Sequence, residues 1–235
     1  MKLLSPPRLS PEEKCPYIDN QLARHEFFLA TEVDSKEFNS CLERGFRKFG
    51  IYFFRPNCQT CQKCLPLRVL ADKFQPTKSQ KRVLKKNKDI SVFYNPPLYR
   101  EEIYQLFVMH SKIRFNQDKE KTGSREDFIQ THFTPSTASV LSEFFLDDKL
   151  VAVGFLDLSV EATSSVYFIY DPDYEKRSLG IFGALKEIEY TKESQKKYYY
   201  LGYFIEENQS MNYKNQFYPH ETYDWNKETW NIPPK

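Results

Sequence analysis

Apolar positions in the first third of the chain predict two short strands around a cysteine-rich loop. Residues 51–56 (IYFFRP) and 67–70 (LRVL) are rich in aromatic and branched side chains, which is typical of strands. Upstream, residues 35–48 predict a short helix. We expect Ser35 to be its N-cap and Gly45 to end it.

The next segment predicts a helix with one cationic face. Its basic residues recur at helical spacing, so their side chains fall on one stripe. They are Lys78, Lys81, Arg82 and Lys85, continued by Lys88. A strand is predicted at 89–94 (DISVFY), and Pro96-Pro97 then indicates a boundary. We therefore expect one domain over residues 1–95 and a second over 96–235.

The second half of the chain changes between helical and strand periodicity. Helices are predicted over 100–116, over 124–132 with Ser124 as cap, and from Ser178 onward. Strands are predicted as a hairpin about Asp147-Asp148, then over 164–174 and 198–204. This order predicts a mixed α/β fold. Residues 220–235 are predicted to be irregular, with Trp225 and Trp230 docked on the body.

Composition and charge narrow the class of protein. Hydrophobic residues make up 40% of the chain and charged residues 28%, which is ordinary for a globular protein. The N-terminus lacks the apolar core of a signal peptide, and no stretch has the length of a membrane span. We therefore expect a cytoplasmic protein with no membrane partner. The net charge of +2 conceals a segment, residues 73–88, with seven Lys/Arg and no acid.

Three of the five cysteines, Cys58, Cys61 and Cys64, follow one another at three-residue spacing. In a cytosolic protein such a group indicates metal ligands more often than disulfides. Cys15 is the obvious fourth ligand, whereas Cys41 lies in the predicted helix and is expected to be a small buried hydrophobe. Four thiols fit zinc or an iron–sulfur cluster, and the sequence does not choose between them. Reduced thiols without a metal are the less favoured alternative.

Two further features predict anion binding. A helical stripe of Lys and Arg suits a phosphate backbone, through charge and counterion release. Because the stripe holds no acid and the rest of the chain is mildly acidic, we expect it to contact nucleic acid. Lys214 lies among aromatic and amide residues after a predicted core strand, where a cation suits a carboxylate or a phosphate.

Four motifs together resemble the aminoacyl-tRNA–protein transferases, which include the bacterial aspartate/glutamate leucyltransferases and the eukaryotic arginyltransferases. The motifs occur in the family's order and span roughly residues 15–225. They are RGFRKFGIYFFRPNCQTCQKCLPLRV (44–69), FQPTKSQKRVLKKN (74–87), SSVYFIYDPDYEKRSLGIF (164–182) and YYYLGYFIEENQSMNYKNQFYPHE (198–221). The resemblance implies transfer of an amino acid from a charged tRNA to proteins with N-terminal Asp or Glu, in an N-degron pathway.

The resemblance also implies an acetyltransferase-like (GNAT) C-terminal domain and a Cys-rich N-terminal domain. The tRNA acceptor end would lie where acetyl-CoA lies in acetyltransferases, and relatives hold zinc or an iron–sulfur cluster on the cysteines. An aminoacyl ester is already activated, so the protein must align the reactants, stabilise an oxyanion and accept one proton.

The residues expected to do this fall into three groups. The tRNA phosphates are assigned to Lys78, Lys81, Arg82, Lys85 and Lys86. The acceptor's acidic side chain is assigned to Arg177 and Lys214, with Arg82 as a further candidate. The reaction centre is assigned to Tyr170, Asp171, Tyr200, Tyr203 and Glu221. Of these, Asp171, Glu221 and Tyr203 are the catalytic candidates, and the two carboxylates are the candidate proton acceptors.

Alternatives stay open on sequence alone. Leucine is the default donor in bacterial relatives, and arginine in eukaryotic ones. The family commonly has a His at position 115 and basic residues near positions 209–216, where this chain has Phe115, Gln209, Ser210 and Gln216. These departures leave room for a non-catalytic, metal-stabilised tRNA-binding protein. An acetyl-CoA-dependent enzyme would fit the fold, but the sequence lacks the usual Gly-rich pyrophosphate loop.

Overall fold

A computed structural model describes residues 1–115 and 123–233, without the side chains of Arg114 and Phe115. Phe115, one of the departures from the family pattern, therefore lies outside the described side chains. The N-terminal part contains two small antiparallel sheets. The first has β1 (Lys2–Leu9), β4 (His25–Thr31), β5 (Arg47–Phe49) and β6 (Tyr52–Pro56), in the order β1-β4-β6-β5; the second pairs β2 (Glu13–Lys14) with β3 (Leu22–Ala23).

Helix α1 (Ser35–Glu43) covers the first sheet. Its N-cap is Asp34, so the prediction of Ser35 was wrong by one residue. Asp34 accepts hydrogen bonds from the backbone of the first turn, and the Glu37 carboxylate accepts one from the Asp34 N–H at 3.0 Å. This reciprocal capping box satisfies donors that a serine at the next position would leave unpaired. Cys41 lies on the buried face of this helix, in the core, as predicted.

The second part is built on an eight-stranded mixed sheet. Its strands are β7 (Leu65–Leu70), β8 (Ile90–Asn95), β9 (Ser139–Leu146), β10 (Lys149–Leu158), β11 (Ala162–Tyr170), β12 (Tyr198–Phe204), β13 (His220–Asp224) and β14 (Thr229–Asn231). Their order is β14-β13-β7-β12-β11-β10-β9-β8, and only the β11–β12 pair is parallel. The mixed α/β class is confirmed. β7 and β8 precede residue 96 and yet belong to this sheet. The division into a domain of residues 1–95 and a domain of residues 96–235 stays a prediction.

Four helices lie at the predicted places: α2 (Lys78–Lys86), α3 (Glu101–Phe115), α4 (Arg125–His132) and α5 (Leu179–Glu193). The short α6 (Gln209–Asn212) and the 3-10 helices at Pro172–Arg177 and Tyr213–Gln216 were not predicted. The first of these 3-10 helices follows a strand that ends at Tyr170, so the predicted strand end at residue 174 was wrong. Ser124 caps α4 as predicted. Apolar side chains of α5 pack against β7 and β12 in one core cluster, while those of α3 and α4 pack against β9, β10 and β11 in another. No described helix is long and apolar enough to cross a membrane.

The C-terminal segment was predicted to be irregular, and that prediction was wrong. It forms the β13–β14 hairpin, and β13 pairs with β7 at the edge of the large sheet. The docking of its two tryptophans is confirmed. Trp225 donates from Nε1 to the Cys64 carbonyl (3.0 Å), and Trp230 donates to the Glu43 carbonyl (2.9 Å).

Candidate functional site

The candidate site lies where the parallel strands β11 and β12 separate. They pair only over residues 162–164 and 198–200, and each strand then carries one extra residue. Val166 is the extra residue of β11 opposite β10, and Leu201 is the extra residue of β12 opposite β7. Bulges bend a strand and interrupt its pairing, and they are common beside active sites. The sheet thus opens between β11 and β12 where their pairing ends, with a bulge on each strand nearby; we call this place the β11–β12 opening.

Two cationic side chains reach the β11–β12 opening from distant parts of the chain. Arg47 on β5 donates from Nη1 to Ser164 Oγ at 2.8 Å and from Nη2 to the Ser165 carbonyl. Lys214 donates from Nζ to the Tyr203 carbonyl at 2.7 Å. Burial, with the nearby Arg47 charge, lowers the pKa of Lys214 to about 7. The opening therefore holds a guanidinium and an amine whose charged form is disfavoured by burial.

Gly202 leaves space between these two cations. Its φ of +93° belongs to the region that favours glycine. A Cβ at this position would lie 3.4 Å from Lys214 Nζ and 3.8 Å from Arg47 Nη2. Both cationic groups therefore converge on the same point beside the β12 backbone.

Tyr203, a predicted catalytic residue, lies on the same strand but its hydroxyl is engaged elsewhere. It donates to the Gly45 carbonyl at 3.0 Å, with the Phe54 carbonyl 3.4 Å away. Burial raises the pKa of Tyr203 above its usual value. Its phenol therefore links β12 to the N-terminal sheet, and a catalytic role stays a prediction.

A buried carboxyl group lies under the opening. Glu187 on α5 accepts hydrogen bonds from Tyr199 Oη (2.5 Å) and Ser142 Oγ (2.8 Å). Burial raises the pKa of Glu187 to about 7, and bonds from Tyr199, Ser142 and Ser165 only partly oppose that rise. Because Ser165 also accepts from Arg47, this network joins α5, β9, β11 and β12 to the cation in the opening.

Asp171 and Tyr170 lie together at the end of β11, as their adjacency requires. The Asp171 carboxylate is almost fully buried, pairs with Lys149 Nζ at 2.7 Å and accepts from the Asp173 N–H at 3.0 Å. It therefore caps the 3-10 helix that follows. Tyr170 lines a cavity of about 240 Å³ with His110 and Asp173. Neither side chain contacts Arg47 or Lys214 in any described hydrogen bond or ion pair.

Tyr200 and Glu221 form a third group on the β7–β13 side of the sheet. Both bind Arg68, which donates from Nε to Glu221 Oε2 (2.7 Å) and from Nη1 to Tyr200 Oη (3.0 Å). The guanidinium also stacks on Tyr198 and Trp230, with its Cζ 3.8 and 4.3 Å from the ring centroids. The predicted reaction-centre residues are thus divided among three places, and their roles stay predictions.

The predicted tRNA-contacting residues form one exposed surface on α2. Lys78, Lys81, Arg82, Lys85 and Lys86 are all exposed. Thr77 caps the helix, and the buried Gln80 fastens it by donating to the Gln216 carbonyl at 3.2 Å. Arg177, predicted to bind the acceptor's acid, lies at this helix instead. Its two terminal nitrogens bind the Asp89 carboxylate at 2.8 and 3.0 Å.

The four predicted metal ligands are free, half-buried thiols. Burial and the charges of Cys58, Cys15 and Cys61 raise the pKa of Cys64 to about 12, so the sulfurs share one region. Four thiols are a donor set for zinc or an iron–sulfur cluster. However, within residues 1–115 and 123–233, no group of three or more Cys, His, Asp or Glu is arranged to hold an ion. The described residues thus contain no preassembled metal site, and the metal ligands stay a prediction.

Arg47, Arg68 and Glu187 are site residues that the sequence analysis missed. The two arginines lie within strands β5 and β7, and each is buried with a neutral or single acidic partner. A signal existed for Arg68, because a lone Arg in the apolar run LPLRVL needs a buried partner. The sequence around Arg47, RGFRKFG, gave no comparable signal, because Arg47 is not a single charged residue in an apolar run.

Two family models match most of the chain. The arginine-tRNA-protein transferase N terminus matches residues 13–82, and the C terminus of the same family matches residues 102–224. Three relatives named "Aspartate/glutamate leucyltransferase" are similar over almost their full length. Those from Campylobacter jejuni, Marinobacter nauticus and Thiobacillus denitrificans are 32%, 33% and 34% identical, over 92%, 90% and 90% of this chain and 92%, 90% and 88% of their own.

A likeness to solved structures concerns the fold alone. The C-terminal domain of a protein described as a lysylphosphatidylglycerol synthetase, from Agrobacterium fabrum, superposes with a TM-score of 0.51 and 13% identity. The match covers 77% of this chain and 61% of that one. A Bacteroides thetaiotaomicron protein of unknown function superposes with a TM-score of 0.50, also at 13% identity, over 68% and 57% of the two chains.

Proposed function

The chain belongs to the arginine-tRNA-protein transferase family, and we propose that it transfers leucine from Leu-tRNA to proteins that begin with Asp or Glu. The observation that carries the proposal is the 32% identity, over 92% of both chains, with a relative named aspartate/glutamate leucyltransferase. The acceptor proteins would thereby receive a leucine at their N-terminus, which is the chemistry of an N-degron pathway in the cytoplasm.

The reaction exchanges an ester for an amide. The neutral α-amine of the acceptor attacks the ester carbonyl of Leu-tRNA, and a C–N bond forms. The tetrahedral intermediate then breaks its C–O bond, and the tRNA ribose hydroxyl leaves with the proton that the amine gives up. An α-amine has a pKa of about 8, so a useful fraction is neutral at cellular pH. The protein needs to align the two reactants and stabilise the oxyanion.

Charged tRNA would lie across the α2 stripe, with its acceptor end at the β11–β12 opening. In this proposal the large sheet is acetyltransferase-like (GNAT), and the opening takes the position that acyl donors occupy in that fold. The exposure of all five basic residues on α2 supports the first part. The end of the β11–β12 pairing at residues 164 and 200 supports the second, because the facing backbone groups beyond that point are without ladder partners.

Asp171 and Glu221 remain the proposed proton acceptors, and they are not equivalent. The Asp171 side chain is 1% exposed and bonded to Lys149, whereas the Glu221 side chain is 17% exposed and bonded to Arg68. Glu221 is the more accessible carboxylate, and it is held by the same Arg68 that holds Tyr200. We therefore favour Glu221, acting with Tyr200, over Asp171.

The test is transfer of labelled leucine from Leu-tRNA to a peptide that begins with Asp. We expect transfer to this peptide and to a Glu peptide, with no transfer to an otherwise identical Ala peptide. Arg-tRNA is run in parallel, because the family model carries the name of arginine transfer. Transfer from Arg-tRNA alone would make the protein an arginyltransferase. Retention of tRNA without transfer from any charged tRNA would indicate the non-catalytic binding protein instead.

The cysteine loop is proposed to hold zinc or an iron–sulfur cluster as a support, outside the reaction itself. Metal analysis and an absorption spectrum of purified protein decide this. Absorption at roughly 400 nm is expected for a cluster, and bound metal without colour for zinc. Protein without metal would remove this part of the proposal and leave the transfer reaction intact.

A further inference from the structure

Strand β8 forms an open edge of the large sheet. It stands last in the strand order, and one of its edges pairs with β9. Among residues 1–115 and 123–233, no strand pairs with its other edge. A row of unpaired backbone N–H and C=O groups at such an edge is a template for a further strand. The outer edge of β8 is therefore a candidate surface for association with another chain.

The strand lacks the features that usually protect an edge. Charged residues, prolines and bulges inside an edge strand discourage pairing. Residues 90–95 (ISVFYN) contain no charged residue and no proline, and their register with β9 is continuous. Phe93 on this edge is 52% exposed. Uncharged segments rich in aromatic and branched residues pair readily, so we expect this edge to be covered in solution.

One face of β8 also borders an open groove of about 520 Å³. The residues Ile90, Val92 and Tyr94 line the groove from the strand, and α5 forms the opposite wall. Tyr190 of α5 stacks on Tyr94, with the two ring centroids 4.0 Å apart. Apolar and aromatic surface left open beside a free strand edge is typical of a protein interaction site.

The charges at the two ends of this groove are complementary to those of a second copy turned end for end. Lys88 lies at the Ile90 end, and Glu193 lies at the Tyr94 end, one helical turn beyond Tyr190. Both are exposed, and neither forms an ion pair with a described residue. A two-fold axis through the middle of β8 would bring Lys88 of each copy toward Glu193 of the other. Because the Glu193 carboxylate would repel a phosphate backbone, the charges favour a second copy over a nucleic acid.

We propose that β8 pairs antiparallel with β8 of a second copy of this chain, with Val92 on the two-fold axis. Opposite residues of an antiparallel pair point to the same face, so an axis perpendicular to the sheet must pair one residue with its own counterpart. With Val92 at the centre, Ile90 lies opposite Tyr94 of the second copy. An axis at Phe93 would instead place Pro96, which has no N–H, opposite Ile90.

The dimer would join the two eight-stranded sheets into one continuous sheet. Because the axis is perpendicular to the sheet, the α5 helices of both copies lie on the same side of it, and so do the α2 helices that pack beside them. The paired segment has only six residues in each copy, so we expect an association that depends on protein concentration. This inference does not rest on the proposed function, and a failed transfer assay would leave it standing.

The first test is sedimentation velocity of the full, nuclease-treated chain at increasing concentration. We expect the mass to change from that of one copy, 28.0 kDa, to that of two. Val92→Lys places two like charges opposite each other and should raise the dissociation constant by about tenfold or more, and Val92→Glu should do the same. An equal mixture of these two variants should recover the dimer, because opposite charges then meet across the axis. Recovery would also show that both variants fold.

Ser91→Lys is the matched control. It adds the same charge to the same strand, but opposite Phe93 of the second copy, so it should weaken the dimer much less than Val92→Lys. Dimerisation that Val92→Lys leaves as strong as in the wild type would overturn the proposal. A mass of one copy at every concentration would do so too, and association that disappears on nuclease treatment would assign the surface to RNA.

A covalent cross-link tests the register. In the proposed pairing the Cβ atoms of the two Val92 residues lie about 5 Å apart, so mild oxidation of Val92→Cys should give a disulfide-linked dimer. Mass spectrometry of peptides places the link at residue 92 and separates it from the five native cysteines. Ser91→Cys, whose counterpart lies two positions further along the partner strand, should form little cross-link. Equal cross-linking of the two variants would refute the register with Val92 on the axis.

Discussion

Neutralising three lysines of α2 should weaken tRNA binding while leaving the fold intact. Lys78, Lys81 and Lys85 are exposed, and none of them forms an ion pair with a described residue. Glutamine is nearly as good a helix former as lysine, and the Thr77 cap and buried Gln80 are unchanged. The free energy of unfolding of the triple Lys→Gln variant should therefore lie within about 0.5 kcal/mol of the wild-type value.

The size of the binding effect follows from counterion release. Each phosphate contact adds about 0.9 to the slope of log K against log salt for a duplex. If each of the three lysines neutralises one phosphate, the slope should fall by about 3. At about 0.1 M salt each contact contributes roughly tenfold to affinity, so the variant should lose on the order of a thousandfold. The expected consequence in the enzyme is a higher KM for Leu-tRNA.

The assay is titration of labelled tRNA at several salt concentrations between about 50 and 200 mM. The control replaces three exposed lysines elsewhere, Lys36, Lys112 and Lys192, by glutamine. It carries the same change in net charge, so it separates a local contact from a general electrostatic effect. Equal slopes for the α2 variant and the wild type would refute the assignment of the stripe to tRNA.

Three further predictions concern the large sheet. The pKa of Glu187 is raised to about 7 by burial, so its contribution to stability is full below its unfolded pKa and is lost as pH rises through about 7. Glu187→Gln should therefore remove this loss, so that the difference in free energy of unfolding between variant and wild type shifts in the variant's favour by up to roughly 3 kcal/mol between pH 5 and 8. Urea unfolding at the two pH values measures this, and an unchanged pH dependence in the variant would contradict it. Arg68→Met leaves a half-buried Glu221 carboxylate and the Tyr200 hydroxyl without their partner. It should lower the free energy of unfolding by about 3 kcal/mol in the same assay, and Arg68→Lys should have a stability between those of the wild type and Arg68→Met. A loss below about 0.5 kcal/mol for Arg68→Met would show that solvent replaces the lost partner. Gly202→Ala places a side chain at a positive φ, with Lys214 Nζ at a contact distance of 3.4 Å. The backbone strain should lower the free energy of unfolding by about 1–2 kcal/mol and reduce leucine transfer, whereas Gly180→Ala, whose Cβ would meet no atom within 4 Å, should change neither.

Local patterns in the sequence predicted the elements whose cause is local. The cap of α4, the helix of basic residues and the hairpin about residues 147–148 depend on residues only a few positions apart. The hairpin at the C-terminus was missed for the opposite reason. β13 exists because β7 lies beside it, and His220 pairs with Val69, far away in the sequence. Nothing within the segment HETYDWN encodes that neighbour.

The residues of the candidate site were likewise predicted only where the signal was local in the sequence. Lys214 was found because its own surroundings in the sequence are unusual, with aromatic and amide residues on both sides. Arg47 was missed because its hydrogen-bond partners, Ser164 and Ser165, are more than a hundred residues away. Arg177 looked equivalent to Lys214 until Asp89 was seen to occupy its guanidinium. Pairing between distant residues, and not residue type, decides which cations are available for a ligand.

The strand order also connects the cysteine loop, for which a supporting role is proposed, with the candidate site in the large sheet. Cys64 directly precedes β7, and the first residue of that strand, Leu65, pairs with Phe204 of β12. The same strand carries Leu67 opposite Gly202, at the bulge that frames the opening. Because a ladder fixes register along its whole length, an ordered loop holds Gly202 in place through β7. The cysteines can therefore support aminoacyl transfer by position alone, without touching either reactant.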